Sequence, residues 1–114
     1  MSEKPRKEKK MIQITDSNEF YDEINCDAPV IADFTARWCA PCKMQTPILT
    51  EFEKGLNGRV KVIRIDVDEN APLADQLGIR EIPTLLIYKN GILTDRAVGL
   101  STKAALSEKI ITYI

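Results

Sequence analysis

Histidine is absent from this chain of 114 residues, and cysteine occurs only three times. Without histidine, a cysteine-histidine hydrolase is excluded, and one close cysteine pair supplies too few ligands for a structural zinc site. Three cysteines are also too few, and odd in number, for a disulfide-stapled secreted scaffold. A reducing compartment, the cytoplasm, therefore fits the composition best. No phosphate-cradling glycine loop offers another chemistry.

Long apolar stretches are missing as well. The longest, residues 84–88 with their flanks, is far shorter than the roughly 20 residues of a membrane span, so we expect a soluble protein that does not bind membranes. Residues 1–10 hold five cations and two anions while the rest of the chain is net acidic, which gives no case for binding nucleic acid. This start lacks the apolar core of a signal peptide. It predicts a disordered charged leader, followed by one domain over residues 11–114.

The first half of the chain alternates strand-like and helix-like segments. Residues 11–14 alternate as a short strand does, and Asp16 and Glu19 have the spacing of a capping box at the start of a helix. Residues 29–36 form a nearly continuous apolar run, which is typical of a central parallel strand covered on both faces. The next segment predicts a helix of about four turns, bent at Pro47. Its predicted apolar face consists of Met44, Ile48, Phe52 and Leu56.

The second half predicts a further strand and helix, then a hairpin and a last helix. Residues 60–67 alternate as a strand does, and residues 70–78 carry the cap and turn residues of a short helix. A strand over residues 84–88 runs into the turn Asn90-Gly91 and returns antiparallel, since Asn-Gly is a strong hairpin signal. The last helix is predicted to begin at Ser101. Its apolar face consists of Leu106, Ile110, Tyr113 and Ile114. The predicted order is β-α-β-α-β-α-β-β-α.

Cys39 and Cys42 stand where the second strand turns into the second helix. Two cysteines at this spacing can close a small disulfide ring without moving the backbone far, so they can alternate between dithiol and disulfide. At the helix start, Cys39 faces unpaired N–H groups and the positive end of the helix dipole, which favour its thiolate. Cys42 lies one turn further in and should be more buried. The spacing therefore predicts Cys39 as a nucleophile open to attack and Cys42 as the resolving thiol.

The residues around this pair, with further markers along the chain, resemble the thioredoxin family from about Met11 to Ile114. The markers are, in chain order, Asp33, the motif Trp38-Cys39-Ala40-Pro41-Cys42-Lys43-Met44, Pro47, residues 78–86, the turn Lys89-Asn90-Gly91, and Val98-Gly99. The resemblance implies an α/β thioredoxin fold, in which a mixed central sheet of about five strands is flanked by four helices. It also implies a monomeric protein-disulfide reductase that binds no cofactor. Its substrates would be protein disulfides, and its electrons would come from NADPH through a thioredoxin reductase.

The resemblance assigns supporting roles as well. Asp33 would take the proton of Cys42, and its place in an apolar strand should raise its pKa into a useful range. Arg64 stands where the family commonly has lysine, and close to Asp33 its guanidinium would hold the carboxylate ionised more firmly. Two alternatives stay open. Asp33 could be an exposed carboxylate at a strand end, and Arg64 could extend to solvent with only its stem covered.

A groove for protein substrates is implied around the nucleophile. Its apolar residues would be Trp38, Pro41, Ile82, Pro83, Val98 and Gly99, with a cis peptide bond between Ile82 and Pro83. Ala40 and Pro41 would set the geometry of the disulfide ring. Ala40 replaces the usual glycine and Thr35 replaces the commoner aromatic residue, so both departures bear on the redox potential.

Other functions for these residues remain to be distinguished. A thiol-disulfide oxidase or isomerase would use the same pair at a more oxidising potential. A non-catalytic subunit of the same fold would hold a partner protein, although the intact Cys39 and Cys42 pair with Asp33 argues against it. Cys26 is interpreted as a structural or incidental thiol, with a regulatory thiol as the alternative.

Overall fold

The computed structural model describes residues 11–114, which form a five-stranded sheet with helices on both faces. The strands are β1 Ile12–Gln13, β2 Val30–Thr35, β3 Lys61–Asp66, β4 Thr84–Lys89 and β5 Ile92–Val98. The helices are α1 Ser17–Ile24, α2 Ala40–Gly55, α3 Ala71–Gln76 and α4 Lys103–Ile110, followed by a 3-10 turn at Ile111–Tyr113. The predicted order and the α/β class are confirmed. The predicted leader, residues 1–10, lies outside the described residues.

The sheet has the strand order β1-β3-β2-β4-β5. β1 and β2 run parallel to β3, whereas β4 runs antiparallel to β2 and β5 runs antiparallel to β4. The hairpin between β4 and β5 closes at Asn90 and Gly91, whose φ angles of 54° and 79° are those of a tight left-handed turn. β2 is the central strand, and its six residues are all buried, as its apolar run predicts.

Two apolar layers cover the sheet. One layer joins it to α1 and α3 through Phe20, Ile24, Phe34 and Leu73. The other joins it to α2 and α4 through Ile31, Leu49, Phe52 and Leu106. Each fully buried apolar side chain of this size contributes roughly 1.5–3 kcal/mol to stability. Because alternate strand residues face opposite sides, Asp33 shares the face of Ile31, which α2 covers.

The buried face of α2 differs from the prediction. Met44 is 58% exposed, so its predicted place in the core is wrong. The buried residues of the helix are Cys42, Gln45, Leu49, Phe52 and Glu53. A strict spacing of four residues drifts around a helix that has about 3.6 residues per turn, so only part of the predicted face reaches the sheet. α2 continues through Pro47 for 16 residues, in agreement with the predicted length.

The last helix begins later than predicted. Its cap is Thr102 rather than Ser101, since the Thr102 side chain accepts a hydrogen bond from the Ala105 N–H at 3.1 Å. Leu106 and Ile110 are buried as expected, whereas Ile114 is 43% exposed. Ser101 is itself buried and belongs to the loop between β5 and α4.

Candidate active site

The turn from β2 into α2 places both redox cysteines at one helix end. Cys39 is the residue that caps α2, and its sulfur accepts the backbone N–H of Cys42 at 3.3 Å. The two cysteines are joined as a disulfide, with Cα atoms 5.3 Å apart. Ala40 and Pro41 lie between them at the exposed start of the helix. Proline fits there because the first turn of a helix needs no backbone donor.

Both sulfur-bearing residues are covered in this disulfide form. Cys39 is 5% exposed and Cys42 is 1% exposed. Cys42 is the more buried of the two, as predicted. The expectation that Cys39 lies open is wrong for the disulfide form. The reason is packing, because the pair forms an apolar cluster with Ala36, Val67 and Ile82.

Trp38 stands directly before Cys39, and 69% of it is exposed. Its indole Nε1 donates a hydrogen bond to Asp68 Oδ2 at 2.9 Å. Asp68 is positioned by the turn after β3, where Asp66 Oδ1 accepts the backbone N–H groups of Asp68 and Glu69 at 2.8 and 3.2 Å. The indole is thus held at the surface instead of in the core. Sequence reasoning missed Asp68, and its only signal was the aspartate at the end of the strand, a residue that favours such turns.

The residues of the predicted groove lie at the same end of the sheet as the cysteine pair. The peptide bond between Ile82 and Pro83 is cis, as predicted. The Ile82 carbonyl oxygen lies 3.8 Å from Cys39 Sγ, and the Pro83 carbonyl oxygen accepts the Gly99 N–H at 2.8 Å. Val98 is 55% exposed and pairs with the first residue of β4. These contacts bring Ile82, Pro83 and the end of β5 together beside Cys39.

Asp33 is fully buried in β2, and neither of its carboxylate oxygens has a hydrogen-bond partner within residues 11–114. Burial raises the pKa of Asp33 from 3.8 to about 7, and the charge of Arg64 lowers it by a smaller amount. The predicted rise in pKa is confirmed, and the alternative of an exposed carboxylate is wrong. A carboxyl group that titrates near neutral pH can both accept and release a proton.

Arg64 is the register partner of Asp33 on β3 and is half-buried. Its Nη2 donates a hydrogen bond to Thr46 Oγ1 on α2, and its buried Nε has no partner in the described part of the chain. Thr46 Oγ1 in turn donates to the Cys42 carbonyl oxygen at 3.4 Å. The guanidinium therefore acts on Asp33 through space, not through a direct hydrogen bond. It does not extend freely into solvent, and Thr46, which holds its end, was not singled out by the sequence.

A polar cavity of about 340 Å³ adjoins Cys42 and Arg64. Its walls carry both signs of charge, including those of Lys43 and Asp66. Thr35 also lines it.

Cys26 lies apart from this site. It is partly buried against the layer of α1 and α3, and its Sγ donates to the Ala28 carbonyl oxygen at 3.5 Å. Between residues 11 and 114, no group of three or more histidine, cysteine, aspartate or glutamate side chains could hold a metal ion. No helix in the same range is long and apolar enough to cross a membrane.

The reversible closing of a small disulfide ring is the chemistry that this helix start permits. The disulfide pair at this helix start, the mixed sheet and the neighbouring cis proline together place the chain in the class of dithiol-disulfide oxidoreductases. A family model described as Thioredoxin matches residues 10–112, and the chain therefore belongs to the thioredoxin family. It is a protein-disulfide reductase with the Cys39–Cys42 dithiol as its redox-active centre.

Named relatives agree with this assignment. The chain is 44% identical over 97 residues to a thioredoxin of Rickettsia felis, and the matched region covers 85% of this chain and 92% of that protein. It is 42% identical over 102 residues to thioredoxin 1 of a Nostoc species, covering 90% of this chain and 95% of that protein. Among solved structures, a mutant thioredoxin of Halobacterium salinarum superposes with a TM-score of 0.83 at 34% identity, covering 90% of this chain and 88% of that one.

Proposed function

We propose that Cys39 is the nucleophile and Cys42 the resolving thiol in the reduction of protein disulfides. Cys39 caps α2, where unpaired N–H groups and the positive end of the helix dipole stabilise a thiolate. Cys42 lies one turn further in, and its backbone N–H donates to Cys39 Sγ at 3.3 Å, so the helix end acts on the sulfur of Cys39. The observation that carries this proposal is the unequal placement of the two sulfurs at one helix end.

The cycle transfers two electrons to the substrate by two exchanges of sulfur. The Cys39 thiolate attacks one sulfur of the substrate disulfide, forms a mixed disulfide and releases the other substrate sulfur as a thiolate. Cys42 then loses its proton and attacks Cys39 Sγ. This second step releases the first substrate sulfur as a thiolate and closes the Cys39–Cys42 disulfide. The substrate ends as a dithiol after taking up two protons.

Asp33 is the proposed base for Cys42. It lies on the sheet face that α2 covers, has a pKa of about 7, and has no competing hydrogen-bond partner within residues 11–114. Arg64 tunes this group through space, since its charge favours the ionised carboxylate. Ala40 and Pro41 are proposed to tune the potential of the pair, because they set the backbone between the two sulfurs.

The proposed substrate surface is the groove of Trp38, Ile82, Pro83, Val98 and Gly99. Trp38 and Val98 are 69% and 55% exposed, and exposed apolar side chains next to a reactive group suit protein partners of varied sequence. The Ile82 carbonyl lies beside the Cys39 sulfur. Backbone groups in such a position can pair with an extended substrate segment.

The pair must be reduced again after each turnover, so an electron donor is part of the proposal. We assign that role to NADPH acting through a thioredoxin reductase, with the chain working as a monomer. The proposed location is the cytoplasm, where thiols are kept reduced.

Insulin reduction tests the proposal directly. With NADPH and a thioredoxin reductase, the wild-type chain should consume NADPH in proportion to the insulin disulfides reduced, and Cys39→Ser should abolish this consumption. Cys26→Ser is the matched control and should retain full turnover. Activity that survives in Cys39→Ser would contradict the assignment of the nucleophile.

The equilibrium of the pair with glutathione separates a reductase from an oxidase or isomerase. A reductase requires a pair that gives its electrons to glutathione disulfide, so the chain should end mostly oxidised when mixed with it. A pair that instead oxidises glutathione would favour the oxidase. A pair without turnover on insulin would favour a binding subunit.

A further inference from the structure

Gln45 is a buried polar side chain that the proposed cycle does not use. It lies on α2, three residues after Cys42, and is 0% exposed. Its Oε1 accepts a hydrogen bond from the Ser101 backbone N–H at 2.8 Å, and its Nε2 donates to the Ser101 carbonyl oxygen at 3.0 Å. One side-chain amide thus satisfies both backbone polar groups of Ser101, as a neighbouring strand would.

The loop that Gln45 holds continues directly from the groove. Gly99, two residues before Ser101, donates its N–H to the Pro83 carbonyl oxygen at 2.8 Å. Pro83 follows Ile82, whose carbonyl oxygen lies 3.8 Å from Cys39 Sγ. A continuous path of contacts therefore runs from the sulfur through the cis-proline segment to the loop after β5.

The two hydrogen bonds of Gln45 to Ser101 connect this loop to α2, the helix that carries both cysteines. The path of contacts therefore begins and ends at the same helix. Between the tether at Gly99 and the cap of α4 at Thr102, the loop contains Leu100, which is 43% exposed, and Ser101, which is buried. Without the amide of Gln45, the Ser101 backbone would lose both of these partners on α2. The loop would then be free to shift relative to the redox pair.

We propose that Gln45 is a positioning residue for protein substrates. It fixes the segment from Gly99 to Ser101 against α2. This segment forms one wall of the groove, and the contact with Gln45 keeps the wall in one position relative to Cys39. The inference rests on the groove of the proposed function. A protein disulfide must contact the wall and depends on Gln45, whereas a small aromatic disulfide reaches Cys39 without it.

The variant Gln45→Met tests this directly, since methionine has a similar length and no hydrogen-bonding amide. Leaving buried backbone groups without partners is expected to raise KM for insulin about tenfold with little change in kcat. The rate with the small disulfide 5,5′-dithiobis(2-nitrobenzoate) should stay within about twofold of wild type, because only substrates that touch the wall are affected. Gln76→Met is the matched control. It makes the same substitution at an exposed residue of α3, outside the groove, and should leave both rates unchanged.

Other outcomes overturn the inference. An unchanged KM for insulin, or an equal loss of rate on both disulfides, would show that Gln45 does not position substrate. If the wild-type chain reduces neither disulfide, the proposed function fails, independently of Gln45.

A second variant keeps the test open should Gln45→Met not fold. The uncharged form of Gln45→Glu has an acceptor and a donor in the same places, whereas its ionised form lacks the donor. The ratio of insulin to small-disulfide activity should therefore be close to wild type at low pH and fall as the glutamate ionises. A ratio that follows wild type at every pH would contradict the proposal.

Discussion

Asp33 and Arg64 lie opposite each other on the parallel strands β2 and β3, yet no hydrogen bond joins them. The guanidinium donates instead to Thr46 on α2. Its charge lowers the pKa of Asp33 through space, but burial has the larger effect, and the pKa is about 7. The carboxyl group is thereby poised to change its charge near neutral pH.

Replacing Asp33 by asparagine should stabilise the chain at alkaline pH. The pKa of Asp33 is raised from 3.8 to about 7 in the folded state, so the folded chain binds this proton more tightly than the unfolded chain. The stability that the protonated Asp33 contributes is therefore fully present below its ordinary pKa of 3.8, and it is lost as pH rises through about 7. The total loss is on the order of 4 kcal/mol, since one pH unit of difference corresponds to about 1.4 kcal/mol. Urea unfolding of both proteins from about pH 3.5 to pH 8.5 measures it. A stability difference that does not change with pH would contradict this account.

Arg64→Met should raise the pKa of Asp33 further, because the lowering effect of the cation is lost. Arg64→Lys is the matched control and should give an intermediate pKa, with arginine giving the lowest. Carboxyl carbon NMR titration of Asp33 in the three proteins measures this order. The pH at which resolution of the mixed disulfide reaches half its maximal rate should move in the same direction. Coincident titration curves would rule out the through-space effect.

Asp68→Leu should release the indole of Trp38, since it removes the acceptor of the 2.9 Å hydrogen bond. Trp38 is the only tryptophan in the chain, so the fluorescence anisotropy of the protein reports its motion without interference. Lower anisotropy and a KM for insulin raised about threefold are expected, because an exposed hydrogen bond contributes only on the order of 0.5–1.5 kcal/mol. Asp68→Asn retains an acceptor oxygen and should stay close to wild type. Equal anisotropy in all three proteins would show that Asp68 does not hold the ring.

Cys42→Ser should trap substrates as stable mixed disulfides on Cys39. The variant keeps the attacking sulfur and lacks the sulfur that releases the product, so the first exchange proceeds and the second does not. Non-reducing electrophoresis with a disulfide-containing protein should show a complex that dithiothreitol dissolves. Cys39→Ser should form no such complex. A complex formed as readily by Cys39→Ser would reverse the two assigned roles.

Local patterns predict the parts of the fold whose partners are near in sequence. Asp16 caps α1 as predicted, since its Oδ1 accepts the Glu19 N–H at 2.8 Å. The turn at Asn90 and Gly91 and the apolar run of β2 are likewise decided by adjacent residues. The position of Cys39 and Cys42 at a strand-to-helix turn follows from the same patterns.

Contacts between distant residues could not be predicted in this way. Gln45 is polar and stands outside the predicted apolar face of α2, and its partner Ser101 lies 56 residues away. Trp38 and Asp68 are 30 residues apart. The covering of Cys39 likewise depends on Val67 and Ile82, which the fold alone brings to it. Burial at this site is therefore a property of the assembled sheet, and no local pattern encodes it.

The most direct test of the central claim is alkylation of the fully reduced chain with limiting iodoacetamide at neutral pH, followed by mass mapping of the modified cysteines. Cys39 should be modified first and Cys42 only after unfolding, because Cys39 caps α2, where the helix end stabilises a thiolate, whereas Cys42 lies one turn inside the helix. Equal modification of the two sulfurs, or modification of Cys42 first, would contradict the assignment of nucleophile and resolving thiol.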